Sequence, residues 1–354
     1  MLPEGWRKEK LGAVAEFQRG FDLPQSQRSE GSVPIISSSG ASGFHDTAKA
    51  LAPGIVTGRY GSIGDVFYVE EAYWPLNTAL WVKDFHGNYP KYLYYLLSNF
   101  DFSKFSDKTG VPGVNRNDLH AVNVLVPPLP EQKKIAAILS TWDRAIEGTE
   151  KLLANSQQQK KALMQQLLTG KKRLPGFTGE WETKYLGDIA DIQTGSSNRQ
   201  DSLTNGEYTF FDRSEDIRTS NRYLFDCEAV IVPGEGQDFV PKYFVGKFDL
   251  HQRTYAISCF QACDGKFIFY TVGYHRSHFL SQAVGSTVKS LRLPMFQKMP
   301  LKLPPLSEQR AIAAVLTTAD EEITALESDL SRLRQEKKAL MQQLLTGKSR
   351  VKVD

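Results

Sequence analysis

The stretch KKALMQQLLTGK occurs at residues 160–171 and again at residues 337–348, identical at all twelve positions. The similarity extends upstream, since residues 128–171 and 305–348 agree at 26 of 44 positions without a gap. The pattern W-x4-LG-x2-A-x2-Q-x-G starts at Trp6 and again at Trp181, but the resemblance fades beyond Gly20. Self-similarity at a fixed offset indicates a repeated architecture. The chain therefore consists of two copies of one plan, each a variable globular part followed by a nearly invariant tail.

The two tails are predicted to be long helices. Pro130 and Ser307 occupy positions typical of a helix start, and the glycine of each Leu-Thr-Gly provides a C-terminal cap. Between these signals lie about 38 residues, or roughly 57 Å of helix. Each tail also carries an apolar heptad seam. The seam residues are Ile135, Leu139, Trp142, Ile146, Thr149, Leu153, Ser156, Lys160, Leu163 and Leu167 in the first tail, and Ile312, Leu316, Ala319, Ile323, Leu326, Leu330, Leu333, Lys337, Leu340 and Leu344 in the second.

A lone helix of this length with an apolar seam needs a partner, so the two tails are predicted to pack on each other. The first helix leads from the first globular part to the second, and the second helix then leads back. This order predicts an antiparallel two-helix coiled coil with a pseudo-twofold axis and a globular domain at each end. Packing of each helix on its own domain, or dimerisation between chains, is the alternative.

The globular parts are expected to be α+β. Residues 60–82 and 266–275 are rich in β-branched and aromatic residues and are predicted to be strands, whereas residues 90–100 are predicted to be a short helix. The domain boundaries follow: a first globular domain at 1–126, a conserved region with the first helix at 127–171, a second globular domain at 172–303, and the second conserved helix region at 304–354.

Composition excludes several classes of protein. The chain has 354 residues, 41% hydrophobic and 11% aromatic, with a net charge of +3. It has no apolar run of membrane-spanning length and no signal-peptide pattern, so a cytoplasmic location is expected. Cys259 and Cys263 lie near His251, but no second ligand pair completes a zinc site. Buried thiols and no bound metal are therefore predicted.

Catalytic motifs are not found. The sequence has no GxxxxGK[ST] loop, no HExxH, no GxSxG and no Asn-Pro-Pro-aromatic loop. His275 and His278 have helical spacing but no acid or nucleophile motif beside them, which favours a structural role. A binding or scaffolding chain, not an enzyme, is therefore predicted.

The combined features resemble the specificity subunit of type I restriction-modification systems. The resemblance rests on PPLPEQKKIAAIL at 127–139 with PPLSEQRAIAAVL at 304–316, on the two LLTGK helix ends, and on the paired Trp and Leu-Gly openings of the domains. It spans essentially the whole chain. The duplicated order of domain, PPLxEQ, helix and LLTGK is far more specific than any one of these motifs.

This resemblance implies that each globular part is a target recognition domain that reads one half of a split, asymmetric DNA site. It implies that the helix pair fixes the unread gap and that two modification subunits dock on the chain. Adenine-N6 methylation with S-adenosylmethionine would belong to those subunits, and ATP- and magnesium-dependent translocation and cleavage to restriction subunits. No cofactor is expected in this chain itself.

Candidate DNA-reading residues are polar or basic side chains on predicted loops, because bases are read by hydrogen bonds at their edges. Asn77 and Thr78 are instead predicted to be structural. The candidates are Ser38, Ser39, Arg59, Tyr60, Lys108, Thr109 and Arg116 in the first head, and Ser197, Asn198, Arg199, Arg213, Ser214, Gln237, Lys242, Arg253, Thr287 and Lys289 in the second.

Six glutamines of the tails are candidates for contact with the modification subunits, although a solvated helix face explains them equally well. They are Gln158, Gln165, Gln166, Gln335, Gln342 and Gln343. Two other functions stay open: a coiled-coil adaptor whose heads bind protein rather than DNA, and an enzyme such as a nuclease with an unrecognised site.

Overall fold

The computed structural model describes residues 2–105 and 113–352 of the chain. Its contacts divide it into two units, and each unit combines parts of both sequence copies. The first unit is Met1–Glu150 together with Ser328–Asp354, and the second is Lys151–Glu327. Each unit therefore holds one head, the adjoining half of one long helix and a half of the other.

Within the described residues, the first sequence copy contains nine strands and three α-helices. They are β1 (Arg7–Lys10), β2 (Glu16–Arg19), β3 (Val33–Ser37), β4 (Gly40–His45), β5 (Gly54–Gly58), β6 (Val66–Val69), β7 (Trp74–Pro75), β8 (Ala79–Asp84), α1 (Pro90–Ser98), α2 (Arg116–His120), β9 (Asn123–Val126) and the long helix α3 (Leu129–Leu167).

In its described part, the second copy continues with ten strands and five α-helices. They are β10 (Glu182–Tyr185), α4 (Leu186–Ile189), β11 (Asp191–Thr194), β12 (Tyr208–Phe211), β13 (Arg218–Ser220), β14 (Phe225–Pro233), β15 (Glu235–Gly236), β16 (Lys242–Leu250), β17 (Thr254–Ser258), α5 (Gly265–Tyr274), α6 (Ser277–Gln282), β18 (Lys289–Ser290), α7 (Leu293–Gln297), β19 (Pro300–Leu303) and the long helix α8 (Leu306–Leu344).

In the first head, a four-stranded sheet of order β2-β8-β5-β6 lies beside a three-stranded sheet of order β4-β3-β7, and β1 pairs antiparallel with β9. The main core of this unit buries Phe17, Tyr92 and Leu96 with Ile135 and Leu139 of α3. Leu344 and Leu345 at the end of α8 belong to the same core. The head is therefore anchored on both long helices.

In the second head, six strands form one sheet of order β11-β17-β14-β16-β12-β13, with β10-β19 and β15-β18 as separate pairs. Here the main core includes Phe267 and Phe296 of the head, Leu316 of α8, and Leu167 and Leu168 at the end of α3. The sheets of the two heads differ, but the anchoring on two helices is the same.

The predicted helices are confirmed, at 39 residues each. Every residue of the two predicted seams is buried or half-buried. In the first unit, Glu150 of α3 accepts a hydrogen bond from Arg334 of α8 at 2.6 Å. In the second, Ser156 donates to Glu322 at 2.9 Å. From Asp143 to Glu150 of α3 the partner on α8 changes from Lys337 to Arg334, and from Ser156 to Lys160 it changes from Glu322 to Asp320. Within each unit the partners thus come earlier in sequence as α3 advances, which is the predicted antiparallel packing. The predicted placement of the heads at opposite ends stays a prediction.

The predicted helix at 90–100 is α1, but the strand predicted at 266–275 is wrong, because Gly265–Tyr274 forms the helix α5. The Asp264 side chain accepts a hydrogen bond from the Phe267 amide and caps the helix. One face of the helix buries Phe267 and Ile268. In the stretch 60–82, strands occupy only Val66–Val69, Trp74–Pro75 and the start of Ala79–Asp84.

Candidate nucleic-acid interface

The duplicated PPLxEQ motif locks the helix starts. In the first unit the buried Glu131 carboxylate accepts hydrogen bonds from the Arg350 guanidinium at 2.8 and 2.9 Å and from the indole of Trp6 at 3.1 Å. In the second unit Glu308, also buried, accepts two hydrogen bonds from Arg173, at 2.5 and 2.6 Å. These bidentate pairs explain why the glutamate recurs, together with the arginine that follows each LLTGK end.

The glutamine of the same motif caps a helix of the head. Gln132 accepts a hydrogen bond from the Tyr89 amide at 2.8 Å, just before α1, and donates to the Pro127 carbonyl at 3.0 Å. Gln309 makes the matching bonds to the Asp264 amide at 3.0 Å and the Pro304 carbonyl at 2.8 Å. The motif thus fixes each head on its helix.

The first lysine of each KKALMQQLLTGK stretch completes a second repeated contact. Lys337 pairs with Asp143, which also accepts a hydrogen bond from the Tyr95 hydroxyl. In the other unit, Lys160 pairs with Asp320, which accepts one from the Tyr270 hydroxyl at 2.7 Å. Each Tyr-Asp-Lys group joins one head, its own helix and the helix of the other sequence copy.

The glycine of each LLTGK end packs against the tryptophan that opens a head. Gly347 and Gly170 both have φ of +71°, and a Cβ built on them lies 3.4 Å from the Trp6 ring and 3.6 Å from the Trp181 ring. The Leu-Gly openings are tighter still, because a Cβ on Gly12 would lie 2.8 Å from His120 and one on Gly187 would lie 3.0 Å from Gln297. The paired sequence motifs are therefore contact partners in a frame that carries the heads.

On the first head, the candidate residues converge through Thr78. Its carbonyl accepts hydrogen bonds from the amides of Arg59 at 2.9 Å and Tyr60 at 3.1 Å, and its hydroxyl accepts one from the Ser38 amide at 3.4 Å. The Arg59 guanidinium lies 4.4 Å from the centre of the exposed Tyr60 ring. The structural role predicted for Thr78 agrees with this position. Thr78 also places the polar turn at Ser38 and Ser39 beside the turn at Arg59 and Tyr60, here called the aromatic turn.

Arg116 belongs to the same region, because the Val114 amide donates to the Arg59 carbonyl at 2.8 Å just ahead of it. Arg116 is exposed at the first residue of α2 and Ser39 is exposed in its turn, whereas the Ser38 side chain is buried. Lys108 and Thr109 lie outside the described residues. Direct DNA contact stays a prediction for all of these residues.

On the second head, most of the candidates lie at or beside the ends of β12, β15, β16 and β18. Arg213 and Ser214 follow β12, Lys242 begins β16, and Arg253 lies in the turn after β16. The Lys242 ammonium donates to the Ser214 carbonyl at 2.6 Å. Gln237 follows β15 and is exposed, and Lys289 pairs with Gly236 across β15 and β18. Exposed Thr287 precedes β18.

The remaining candidates form a loop on the same head. Asn198 is exposed and accepts a hydrogen bond from Gln252 at 2.7 Å, while the neighbouring Arg199 side chain is 63% exposed. Ser197, by contrast, is fully buried, and its hydroxyl donates to Asp249 at 2.5 Å and accepts from Arg222. In the structure Ser197 therefore braces Arg222, and a DNA contact through its own side chain stays an untested prediction.

Sequence reasoning missed three buried carboxylates beneath these side chains. Apart from the two frame glutamates, Asp212, Glu235 and Asp249 are the buried carboxylates of the described residues, and all three lie in the second head. Each is within ion-pair distance of at least one arginine. The pairs are Asp212 with Arg199 and Arg218, Glu235 with Arg213 and Arg253, and Asp249 with Arg222. No sequence motif marks these carboxylates.

Electrostatics keeps Asp212 charged. Its burial by itself raises the pKa, but hydrogen bonds from the Ser214 hydroxyl and amide, with the charges of Arg218 and Arg199, outweigh that effect and leave the pKa below its usual value. The neighbouring His251 has a lowered pKa, chiefly because it is partly buried. This edge of the sheet therefore holds fixed anions that orient cationic side chains.

A model of one protein family, described as the type I restriction modification DNA specificity domain, matches the chain twice, over residues 3–155 and 178–333. Together these matches cover most of the sequence and one copy of the repeat each. This chain belongs to the type I restriction-modification DNA specificity family. The resemblance inferred from the duplicated motifs is confirmed.

Relatives agree with the family model. The EcoDI specificity subunit from Escherichia coli is 29% identical over 167 residues, covering 47% of this chain and 37% of that subunit. The MjaVIII specificity subunit from Methanocaldococcus jannaschii is 27% identical over 299 residues, covering 74% of this chain and 70% of that subunit. This specificity chain thus aligns with little more than a third of the EcoDI subunit's length.

Solved structures share the fold. The S subunit of a type I restriction-modification system from M. genitalium matches with a TM-score of 0.72 at 15% identity, over 96% of both chains. A chain from a structure described as "Structural basis underlying complex assembly and conformational transition of the type I R-M system" matches with a TM-score of 0.58 at 18% identity, over 99% of this chain and 100% of that chain. The α+β fold with an internal repeat is therefore confirmed for this specificity chain.

Membership of a DNA specificity family agrees with the prediction of a non-catalytic chain that recognises DNA. The six tail glutamines that were candidates for contact with the modification subunits are all exposed.

None of the helices within the described ranges combines the length and apolar composition needed to cross a bilayer.

A cluster of potential metal ligands lies in the first head of the specificity chain. In the part of the chain that the structure describes, the ligand atoms of Glu16, Asp84 and His86 lie within 4.8 Å of one another, and Lys83 approaches Glu16 to 3.5 Å. The group is largely exposed, and exposed acidic groups of this kind are common without a bound metal ion.

The expectation of buried thiols is wrong for Cys259, which is exposed just after β17 at a φ of +54°, while Cys227 and Cys263 are half-buried.

Proposed function

We propose that this chain is the DNA sequence-recognition subunit of a type I restriction-modification complex and that each head reads one half of a bipartite, asymmetric site. The observation that carries the proposal is one repeated frame bearing two unlike heads. The same Glu-Arg and Tyr-Asp-Lys contacts hold both heads, yet the first presents an aromatic turn and the second a set of arginines fixed by carboxylates. Unlike readers on a repeated frame suit two different half-sites rather than a palindrome.

The paired helices would set the length of DNA left unread between the half-sites. A helix of 39 residues rises about 58 Å, which exceeds one turn of B-DNA at about 34–36 Å. Antiparallel packing within each unit supports this spacer role, because two helices bound side by side resist bending better than one.

Two adenine-N6 methyltransferase subunits would dock on the chain, and restriction subunits would join them. The support is the duplication: Gln165 and Gln166 on one helix end have identical, exposed counterparts in Gln342 and Gln343 on the other. Two equal surfaces suit two copies of one partner. S-adenosylmethionine, ATP and magnesium would be bound by those partners, and the complex would act on DNA in the cytoplasm.

A genome-wide map of N6-methyladenine, made with and without this gene, tests the proposal. We expect deletion to abolish methylation at one split, asymmetric motif, and return of the gene to restore it. If the map is unchanged while a protein bearing an Asn-Pro-Pro-aromatic motif still co-purifies with the chain, DNA reading by the heads is refuted. Co-purification with unrelated proteins only would favour the adaptor function.

A further inference from the structure

In the second head, two arginines share one buried carboxylate, an arrangement that DNA recognition does not by itself require. Glu235 is only 8% exposed, and its two oxygens accept hydrogen bonds from Arg213 at 2.7 Å and from Arg253. The arginine side chains are 52% and 59% exposed. The carboxylate lies inside and the guanidinium groups reach the surface.

Backbone pairing holds this group in place. Glu235 pairs with Ser290 between β15 and β18, and the Gly234 amide donates to the Arg253 carbonyl at 2.9 Å. The nearby Phe239 side chain is buried at a φ of +48°, which anchors the loop that follows β15. A carboxylate on a paired strand, with a partner in the neighbouring turn, is a rigid support for two otherwise mobile side chains.

Each arginine keeps part of its hydrogen-bonding capacity. Within the described residues both side chains donate hydrogen bonds through Nη1 alone, so Nη2 and Nε have no protein acceptor. A guanidinium has five N–H groups in a planar fork, and two of them match the O6 and N7 acceptors of guanine in the major groove. Because the carboxylate already orders the side chain, base contact costs less conformational entropy.

The surroundings favour base contact over bulk attraction to phosphate. Arg213, Glu235, Gln237 and Lys242 line a cleft of about 420 Å³, which Glu215 and Asp238 also line. The cleft therefore mixes both signs of charge. A surface that binds DNA through bulk attraction to phosphate is typically a basic patch or stripe, so directed side chains explain this mixed cleft better. Among described residues, the first head has no buried carboxylate of its own to organise its arginines.

We propose that Arg213 and Arg253 read guanine in the half-site of the second head and that Glu235 is the positioning residue that holds both guanidinium groups for this contact. The inference rests on the proposed function and adds a base preference to one head. The half-site recognised by the second head should contain at least one G·C pair that these side chains discriminate, and the first half-site should not depend on them.

The test measures binding of the complete complex to DNA duplexes in which each base pair of the mapped site is changed in turn. Low salt is used because phosphate contacts then keep weakened complexes measurable. In Arg213→Ala and Arg253→Ala complexes, the preference for guanine at one position each should fall by about 5- to 150-fold, the range of a lost bidentate contact. Preferences within the first half-site should not change.

Two further variants separate base reading from other roles. Arg→Lys keeps the charge but loses the fork, so Arg213→Lys and Arg253→Lys should also lose the guanine preference; full retention would assign the arginines to phosphate and overturn the inference. Glu235→Gln should weaken the same guanine preferences. It should leave the melting temperature of the protein close to that of the wild type, whereas a defect in the core would lower it. A uniform loss of affinity across all duplexes, with preferences intact, would likewise overturn it.

Arg332→Ala is the matched control, because Arg332 is 58% exposed and paired with Asp329 but lies on α8 outside either head. Its base preferences should equal those of the wild type. If the wild-type complex itself shows no split site, the proposed function fails. If the wild-type complex shows a split site and the Arg213 and Arg253 variants keep all of its base preferences, the further inference alone fails.

Discussion

Gln132 and Gln309 illustrate how single side chains fasten a head to its helix. Both are buried, and each satisfies one backbone amide and one carbonyl. Truncation leaves these groups without partners, at a cost of about 1–3 kcal/mol. We therefore expect Gln132→Ala and Gln309→Ala each to lower the free energy of unfolding by that amount in urea denaturation. Gln158→Ala, at an exposed glutamine, should change it by less than about 0.5 kcal/mol.

His120 should make the first unit sensitive to mild acid. Its Nε2 accepts a hydrogen bond from the Phe17 amide at 2.8 Å, so the folded state needs the neutral ring. Partial burial, assisted by the charge of Arg116, lowers the pKa of His120 below its ordinary value of 6.5. The unfolded chain then binds a proton more readily, and stability falls as pH drops through 6.5 towards the folded pKa.

The difference in unfolding free energy between the wild type and His120→Asn isolates this effect. We expect the wild type to lose stability relative to the variant as pH falls from about 7.5 to about 5. Parallel pH profiles would show that the imidazole does not titrate on unfolding. The other histidines are present in both proteins and therefore cancel.

At the scale of elements, the long helices were predictable and the heads were not. Caps and a heptad seam located α3 and α8, because both signals are local in sequence. Helix α5 was misjudged because Phe, Ile, Tyr and Val favour strands, while its cap at Asp264 is a single residue. Glu235 was missed because its burial depends on the pairing of β15 with a strand more than fifty residues away. The candidate arginines could be chosen from the sequence by residue type, but the buried carboxylates that orient them could not.

The Tyr-Asp-Lys groups predict a reciprocal pair of variants on the helices. Asp143→Ala leaves the ammonium of Lys337, whose side chain is only 19% exposed, without its anion. Loss of a charged hydrogen bond should destabilise the first unit by about 1.5–3 kcal/mol in chemical denaturation. The exchanged pair Asp143→Lys with Lys337→Asp should recover part of this loss. If the double variant is no more stable than Asp143→Lys alone or Lys337→Asp alone, the ion pair contributes little to stability.

At the scale of the whole molecule, the spacer function predicts a change in gap length without a change in half-sites. Deleting one heptad from each helix, residues 147–153 and 324–330, removes equivalent segments of the two copies. The loss of about 10 Å of helical rise corresponds to about three base pairs. The methylation map of a strain with this variant should show both original half-sites around a gap shortened by about that amount.

A deletion in one helix only is the control, because it shifts Asp143 and Lys337, or their counterparts, out of register. It should disrupt the protein rather than reset the gap. An altered half-site in the double deletion would contradict the spacer function, since no residue of either head is removed.

The contacts that cross between sequence copies also constrain how such a chain can evolve. Asp143 pairs with Lys337, a lysine of the other sequence copy. The equivalent lysine of its own copy is Lys160, which pairs with Asp320. Lys160 lies 17 residues further along the same helix as Asp143, about 26 Å away, and is out of its reach. A chain with one copy could satisfy these groups only by pairing with a second molecule. In this chain each tail supplies both members of the contact, an aspartate to one unit and a lysine to the other. A change at either residue therefore has to remain compatible with the other tail, which ties the two tail sequences to each other.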